Sequence, residues 1–476
     1  SLDACTTGNS NVAVGINSLT STQTGSNSVA VGNGALSNQL GSGNMFNIAV
    51  GPDAGAAVTT GVNNTLIGGL AGDAITTGSS NAALGYNSLG LNTTGARNVA
   101  MGAESLSANT TGADNVAIGE DALTANTTAS NNTAVGTDSL KANTTGTNNT
   151  AVGVSAGAAV TTAGEATLIG RHAGINLTTG SSNTFIGGRA GQNTTTAIEN
   201  TAVGQAALLT NSTGANNTAL GRAALLSNTT ASGNTAVGRN AMVSTTTGAN
   251  NVSVGHLSLA VNTTGSSNVA IGMQCLDANT TASNNTGVGQ NALTANTTGH
   301  SNVAMGTNSL LACTTGDQNV AIGMDALKTI TGANDNVAIG REALRDNTAN
   351  DNVAIGEEAL KLNTSATSNV AIGKNAMNVN TTGDENTAVG TSCLDANTTG
   401  TDNTAMGHRA LGANTTGGFN TAIGNDALDA VSSGSNNSAV GFNALGLNTT
   451  SNNTAIGYNA AAANTSGGNV VAVGYK

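Results

Sequence analysis

Aromatic and ring-constrained residues are scarce in this sequence of 476 residues, which has no tryptophan, one proline, four phenylalanines and three tyrosines. A conventional core anchored by large aromatic side chains is therefore excluded. The hydrophobic residues, 38% of the chain, are nearly all alanine, valine, isoleucine and leucine. Any core built from them must be thin and regular.

Charged residues are also few, at 8%, and the net charge is −12. Because no basic patch or run of Lys and Arg exists, we expect no binding to nucleic acid or to anionic membranes. Disordered chains combine low hydrophobicity with high charge, and this chain has neither property. No apolar run is long enough to cross a bilayer and no signal peptide is recognisable, so we expect no membrane insertion.

One 17-residue phrase recurs along the whole sequence, for example NVAIGEDALTANTTASN at residues 115–131. We call its glycine the anchor glycine. Anchor glycines occur 28 times between Gly15 and Gly474, and from Gly51 to Gly340 they follow one another at this constant spacing. The step from Gly32 to Gly51 is longer by two positions, and two later steps are each shorter by one, so the deviations cancel. The chain is therefore a repeat protein.

A fixed short period is typical of a stacked-repeat fold, and a period this short leaves no room for a helix pair in each repeat. Val116-Ala117-Ile118 has the pattern of a short strand, and the anchor glycine with the next polar pair indicates a turn. We predict an all-β fold, a parallel β-solenoid (β-roll) of 28 coils stacked about 4.8 Å apart. Residues 1–476 are expected to form a single continuous repeat domain, a rod of roughly 130 Å without linker or capping domain.

Correlated substitutions at three positions of the phrase identify the interior. Four residues after the anchor, the usual Leu is replaced by glycine in five coils, at Gly55, Gly72, Gly157, Gly174 and Gly191. Two residues before the anchor, the usual Ala is enlarged only within those coils, to Leu66, Leu168 and Phe185. Seven residues after it, the usual Asn is aliphatic in four of the five, as Val58, Ile75, Val160 and Leu177. Because volume compensation is expected within one packed core, the three positions are predicted to share the interior.

The residue just before the anchor is Val, Ile, Leu or Met in all 28 coils. If Ala117 points inward, strand alternation directs Val116 and Ile118 outward. An aliphatic stripe of this length is seldom left exposed, so we predict that other copies of the chain cover it about a symmetry axis. The alternative is that the stripe lies inside and the alanine faces out. The interface candidates on the stripe include Val14, Val31, Ile118, Val135, Ile271, Ile339 and Ile423.

Asn occupies the fourth position before the anchor in 25 of 28 coils, as at Asn115, Asn132 and Asn403. Stacked Asn side chains can hydrogen-bond along a ladder, which would keep successive coils in register. The anchor glycines are predicted to form the turn after the strand through positive φ or close backbone approach, as at Gly119, Gly136 and Gly272.

The phrases NVAIGEDAL at residues 115–123 and NTAVGTDSLKANTTG at residues 132–146 resemble the head repeats of trimeric autotransporter adhesins. Similar repeats occur in other bacterial surface proteins and in phage tail fibres. The resemblance covers essentially the whole chain and implies a left-handed β-roll, a homotrimer with the aliphatic stripe packed inward, and an extracellular location on a cell surface or virion. The coil of this chain is longer than that family's usual repeat, and no neck, stalk, membrane anchor or fibre tip is recognisable.

Residues that could carry catalysis or bind a metal are dispersed along the chain. The four cysteines are Cys5, Cys275, Cys313 and Cys393. Because they lie at least two coils apart, we expect no intrachain disulfide. Disulfides between chains are the alternative. The histidines do not cluster into a metal site; they are His172, His256, His300 and His408. Acidic pairs such as Glu120-Asp121 and Glu357-Glu358 lack a recurring opposed acid or base. We expect no cofactor, no metal and no enzymatic activity.

These observations favour a non-enzymatic extracellular rod, either the shaft or head of a bacterial adhesin or a phage fibre, which could bind a host-cell surface or matrix receptor. The second hypothesis is a filament subunit, because Tyr475 and Lys476 are in phase with Ser1 and Leu2. Such ends could pair strand to strand between molecules. A minor alternative is an ice-binding solenoid. Adjacent threonines on a strand point to opposite faces, so we expect Asn-Thr-Thr to give one outward threonine row where a flat ice-binding face would need two. Asn-Thr-Thr is also a glycosylation acceptor pattern.

Overall fold

A strand of three residues precedes each anchor glycine, as the β-branched pattern predicts. The computed structural model describes residues 2–476 and shows an all-β parallel β-solenoid of about 27 turns, in which each repeat of the phrase supplies one strand to the main sheet. The described residues contain no helix, so none that could span a membrane is found among them. Two compact units are distinguished, one ending at Val237 and the other beginning at Gly238. That the chain forms one continuous domain stays a prediction.

The first unit contains fourteen strands of three residues and one additional pair of two-residue strands. The three-residue strands are β1 (Val12–Val14), β3 (Val29–Val31), β5 (Ile48–Val50), β6 (Thr65–Ile67), β7 (Ala82–Leu84), β8 (Val99–Met101), β9 (Val116–Ile118), β10 (Thr133–Val135), β11 (Thr150–Val152), β12 (Thr167–Ile169), β13 (Thr184–Ile186), β14 (Thr201–Val203), β15 (Thr218–Leu220) and β16 (Thr235–Val237). The long step between Gly32 and Gly51 contains part of the additional pair, β2 (Gly25–Ser26) and β4 (Gly43–Asn44), which are parallel to each other.

The second unit contains fourteen strands of the same length. They are β17 (Val252–Val254), β18 (Val269–Ile271), β19 (Thr286–Val288), β20 (Val303–Met305), β21 (Val320–Ile322), β22 (Val337–Ile339), β23 (Val353–Ile355), β24 (Val370–Ile372), β25 (Thr387–Val389), β26 (Thr404–Met406), β27 (Thr421–Ile423), β28 (Ser438–Val440), β29 (Thr454–Ile456) and β30 (Val471–Val473).

Within each unit, every three-residue strand pairs in parallel and in register with the strand one repeat away. Ala117, for example, lies opposite Ala100 on one side and Ala134 on the other. The two short steps preserve this register, since Ala338 pairs with Ala354 and Ala439 with Ala455. Each position of the phrase therefore forms a row of equivalent side chains in each unit.

The anchor glycine leaves the strand with a backbone that other residues rarely adopt. The φ angles of Gly119, Gly136 and Gly272 are 129°, 129° and 138°. A Cβ atom on Gly119 would lie 2.7 Å from the carbonyl carbon of Gly136 in the next coil. Positive φ and close backbone approach, offered as alternatives by the sequence, therefore both apply at this turn.

The segment after the anchor glycine is a turn in which left-handed residues alternate with ordinary ones. Asp121 has a φ of 60° and Leu123 a φ of 54°. A left-handed conformation costs a non-glycine residue roughly 1–2 kcal/mol. Burying a leucine side chain stabilises by about 1.5–3 kcal/mol, and Leu123 is 0% exposed. The burial of the leucine therefore offsets the cost of its own left-handed conformation.

The predicted interior is confirmed. Ala117 and Leu123 are fully buried, as are the three enlarged side chains and the four aliphatic residues that replace Asn. Each enlarged side chain faces two glycines in successive coils: Leu66 faces Gly55 and Gly72, Leu168 faces Gly157 and Gly174, and Phe185 faces Gly174 and Gly191. Because one large side chain occupies the space of two missing leucines, three enlargements suffice for five glycines.

Candidate functional site

The first and third residues of the three-residue strands point away from the interior and together form what we call the outer strand face. Four of the predicted interface residues expose a third of their surface or more: Val14 57%, Ile118 37%, Ile271 39% and Ile423 39%. Val31, Val135 and Ile339 lie on the same face and are half-buried. The alternative orientation, with the stripe inside and the alanine outside, is wrong, because the central residue of these strands is buried throughout almost the whole chain.

In the part of the chain that the structure describes, no charged residue lies on the outer strand face. Its two positions in each of 28 strands hold only Val, Ile, Leu, Met, Ala, Thr and Ser, although the chain has 25 acidic and 13 basic residues elsewhere. Solvated surfaces of soluble proteins normally mix both signs of charge. A row of exposed aliphatic side chains without charges has the composition of the centre of a protein interface.

Buried asparagines precede the strands and bind neighbouring coils through both ends of the side chain. The Asn115 Oδ1 atom accepts the main-chain N–H of Asn132 at 3.0 Å, and its Nδ2 donates to the carbonyl of Ala129 at 2.9 Å. Asn132 repeats this arrangement, donating to Gly146 at 2.9 Å. Asn403 likewise accepts from the N–H of Asn420 at 3.1 Å and donates to Gly417 at 2.9 Å. The ladder therefore consists of hydrogen bonds between side-chain amides and main-chain groups, and not only of bonds between one side-chain amide and the next.

A second buried row of asparagines begins the Asn-Thr-Thr motif and forms a further ladder, which was not among the features predicted from the sequence. Asn126 Nδ2 donates to Asn109 Oδ1 at 2.9 Å and to the carbonyl of Ala129 at 3.1 Å, and Asn143 donates to Asn126 Oδ1 at 3.0 Å. The signal was present in the recurrence of the motif. Asn126 and its equivalents in most coils are fully buried, so the side-chain amides of these residues are not exposed in the folded chain.

The threonines that follow these asparagines lie in a bend and not in a strand, and one of their two rows faces outward, in agreement with the single outward row that was expected. Thr127 is half-buried and its hydroxyl donates to the carbonyl of Thr144 at 3.2 Å, whereas Thr128 is exposed. The bond recurs between coils, as from Thr110 to Thr127 at 3.0 Å. The first threonine row thus uses its hydroxyl protons to hold the coils together, and the second row faces solvent.

The acidic pairs after the anchor glycine are partly neutralised by cations of adjacent coils. Lys141 Nζ lies 2.8 Å from Asp121 Oδ2 and 2.8 Å from Asp138 Oδ1. Glu357 pairs with Arg341 and, at 3.0 Å, with Lys374. Pairs on the surface contribute little to stability, because solvent and salt screen them.

The cysteines and histidines occupy structural positions in the rows. All four cysteines are free thiols, and burial raises the pKa of Cys275 and Cys393 to about 12 and that of Cys313 to about 11. His300 Nδ1 accepts the main-chain N–H of Ser283 at 3.0 Å, a bond that serine hydroxyls accept in other coils. Within residues 2–476, no group of three His, Cys, Asp or Glu side chains is placed to hold a metal ion.

No protein-family model matches this chain, and no curated protein is significantly similar to it. The candidate site therefore rests on the geometry of the rows. Among them, the outer strand face combines exposure, aliphatic character and the absence of charge.

Proposed function

We propose that this protein is a non-enzymatic extracellular structural or adhesive fibre in which copies of the chain cover each other's outer strand face. The observation that carries the proposal is the absence of charge from that face in all 28 described strands, with an aliphatic residue at the third position of each. The resemblance to the heads of trimeric autotransporter adhesins supports three copies in a left-handed roll. Repeated rows supply length and many equivalent display positions, whereas catalysis needs different groups converging on one point.

The free energy gained by burying the outer strand face in such an assembly is comparable to the cost of association. Fully burying an aliphatic side chain contributes about 1.5–3 kcal/mol, so covering the exposed third of one stripe residue contributes roughly 0.5–1 kcal/mol. Fourteen stripe residues in one unit then contribute about 10 kcal/mol before costs. This matches the estimated 4–15 kcal/mol that association costs in lost freedom. With both units engaged, a gain of about 20 kcal/mol would exceed the upper estimate of that cost.

In this proposal, a receptor binds to the rows of side chains that lie outside the copy–copy interface. The pair after each anchor glycine differs between coils, from Glu120-Asp121 to Arg341-Glu342, and lies on the surface. Covering the outer strand face would leave this row available to a host-cell surface or matrix receptor. Continuation of the solenoid from one molecule into the next stays a second hypothesis, which electron microscopy separates from discrete rods.

The proposed assembly is tested by measuring the mass of the purified protein by light scattering. We expect a multiple of the 45.8 kDa chain, with three copies preferred. Replacing Ile118, Ile271 and Ile339 together by Asp should give the monomer, because each copy would bury uncompensated carboxylates. The matched control replaces the exposed Thr128, Thr281 and Thr315 by Asp and should leave the mass unchanged. A natural protein that is monomeric at high concentration contradicts the proposal, and thermal hysteresis of that monomer would favour ice binding.

A further inference from the structure

A small apolar pocket interrupts the outer strand face of the first unit. Its volume is about 180 Å³, and it is lined by Thr65, Ile67, Ala82, Ala83, Leu84 and Met101. All six residues belong to the adjacent strands β6, β7 and β8.

The pocket exists because Ala82 is too small for its row. The paired residues on either side of it are Thr65 and Val99, both β-branched. Among the described strands of three residues, no other begins with alanine. The missing branch uncovers a floor formed by Ala83, while Leu84 and Met101, 44% and 40% exposed, form the outer wall. The small side chain of Ala82 therefore leaves a recess at one defined position in a row of otherwise larger side chains.

The chemistry of the recess favours an aliphatic side chain. Water needs two to four polar partners, and among the lining side chains only Thr65 carries a polar group. Small-molecule sites usually enclose about 300–1,000 Å³, more than this recess offers. An occupant the size of one leucine side chain fits both the volume and the lining.

A second copy of the chain supplies such an occupant at the required level. In a cyclic assembly of level, parallel chains, the first-position row of one copy faces the third-position row of the next. The residue that reaches Ala82 is then Leu84, from the same strand of the neighbouring copy. Leucine occurs at the third position only here and at Leu220 among the described strands, and its branch at Cγ extends further than that of valine or isoleucine. The strand with the smallest first residue thus carries an extended third residue, the same volume compensation seen in the interior.

We propose that the Ala82 pocket receives the Leu84 side chain of a second copy and thereby fixes the axial register between copies. The inference rests on the proposed function, because it requires the outer strand face to be a copy–copy interface. Homogeneous Val, Ile and Thr rows look alike after a shift of one coil, so a single recess and its matching side chain distinguish the correct register.

The dissociation constant of the natural assembly, measured by sedimentation equilibrium, provides the test. Ala82→Leu fills the recess and should weaken association about 10-fold, the usual effect of overpacking. Adding Leu84→Ala to Ala82→Leu should restore association to within about 3-fold, since the new leucine then meets the vacated space. Thr128→Leu adds the same side chain to the exposed threonine row and should change nothing. Ala82→Val, which copies the residue at Val99, is the second variant if Ala82→Leu does not fold.

The results distinguish this inference from the proposed function. Unchanged association of both Ala82→Leu and Ala82→Val, or weakening that Leu84→Ala does not reverse, overturns the pocket assignment. The pocket assignment can fail while the triple Asp variant at Ile118, Ile271 and Ile339 is still monomeric. In that case the copy–copy interface is retained, and only the role of the Ala82 pocket in fixing the register is rejected. A natural protein that never associates rejects both.

Discussion

Removal of one asparagine from the ladder that precedes the strands should destabilise the solenoid locally and strongly. Asn115→Ala is the perturbation of choice, because Asn115 is fully buried in the middle of the first unit. Its side chain holds three partners: the N–H of Asn132, the carbonyl of Ala129, and Asn98 Oδ1 at 3.1 Å. Alanine keeps the main chain, and the change removes these hydrogen bonds together with the volume of the amide group.

The magnitude follows from the groups that lose their partners. The main-chain N–H of Asn132 loses its partner, whereas the carbonyl of Ala129 keeps the bond from Asn126 Nδ2. A buried main-chain group without a partner costs about 1–3 kcal/mol, so Asn115→Ala should cost roughly 1–3 kcal/mol for the coils concerned. At about 1.36 kcal/mol per factor of ten, the middle of this range corresponds to a local opening about 30-fold more frequent.

Hydrogen exchange is the appropriate assay, since long repeat arrays need not unfold in one step and a single unfolding free energy is then undefined. The reporters are the amides of Val116 and Thr133, which donate to the carbonyls of Asn132 and Asn149. We expect their exchange to accelerate while amides many coils away keep their rates. Thr128→Ala, a change at an exposed site two residues beyond Asn126, serves as the control.

The reasoning is refuted if Asn115→Ala leaves the exchange of Val116 and Thr133 within about 3-fold of the natural rate, which is less than about 1 kcal/mol. Equal acceleration by Thr128→Ala would also refute it, because general fragility rather than the ladder would then be responsible. Acceleration spread evenly over the whole unit would show that the coils open together and would contradict the nearest-neighbour behaviour assumed above.

Three further predictions concern the turn, a half-buried carboxylate and the thiols. Gly119→Ala should destabilise by more than about 2 kcal/mol in thermal unfolding, since its φ of 129° suits only glycine and its Cβ would meet Gly136. Burial raises the pKa of Asp277, so its charged form weakens the fold above the unfolded pKa, near 4. Asp277→Asn should accordingly stabilise by less than about 1 kcal/mol at pH 7 and by nothing at pH 3, as denaturant titrations at the two pH values would show. Cys275, buried and with a pKa of about 12, should react with a thiol reagent only after denaturation, whereas the part-exposed Cys5 should react in the native protein.

The periodicity of the sequence was sufficient to predict the fold class and the inside of each coil. Compensation between Leu66, Leu168, Phe185 and the five glycines placed three positions in one core, and all of those side chains are buried. Strand alternation then placed Ile118 outside. These inferences succeed because burial acts on side-chain volume and strand geometry, and both are visible in the residue pattern itself.

The bend at the Asn-Thr-Thr segment was not predicted from the sequence, because the conformation of this segment depends on neighbouring coils. Two adjacent threonines predict alternating faces only if they lie on a strand. In the structure they follow Asn126, whose amide is held by Asn109 and by the carbonyl of Ala129. These bonds place the segment in a bend, and Thr127 donates to the next coil. The recurrence of a residue indicates that it stacks in a row, but it does not show which of its atoms bond to the next coil.

By itself, the sequence determined the period, the strand, the turn glycine and the inward side chains, because each depends on residues within about one coil of each other. The tertiary structure alone decided how each asparagine divides its hydrogen bonds between side chain and main chain. It also revealed that three large side chains serve five glycines and that Ala82 leaves a recess. These features arise where one coil meets the next, and their free energies depend on distances between atoms that lie a full repeat apart in the chain, as Asn115 and Asn132 do.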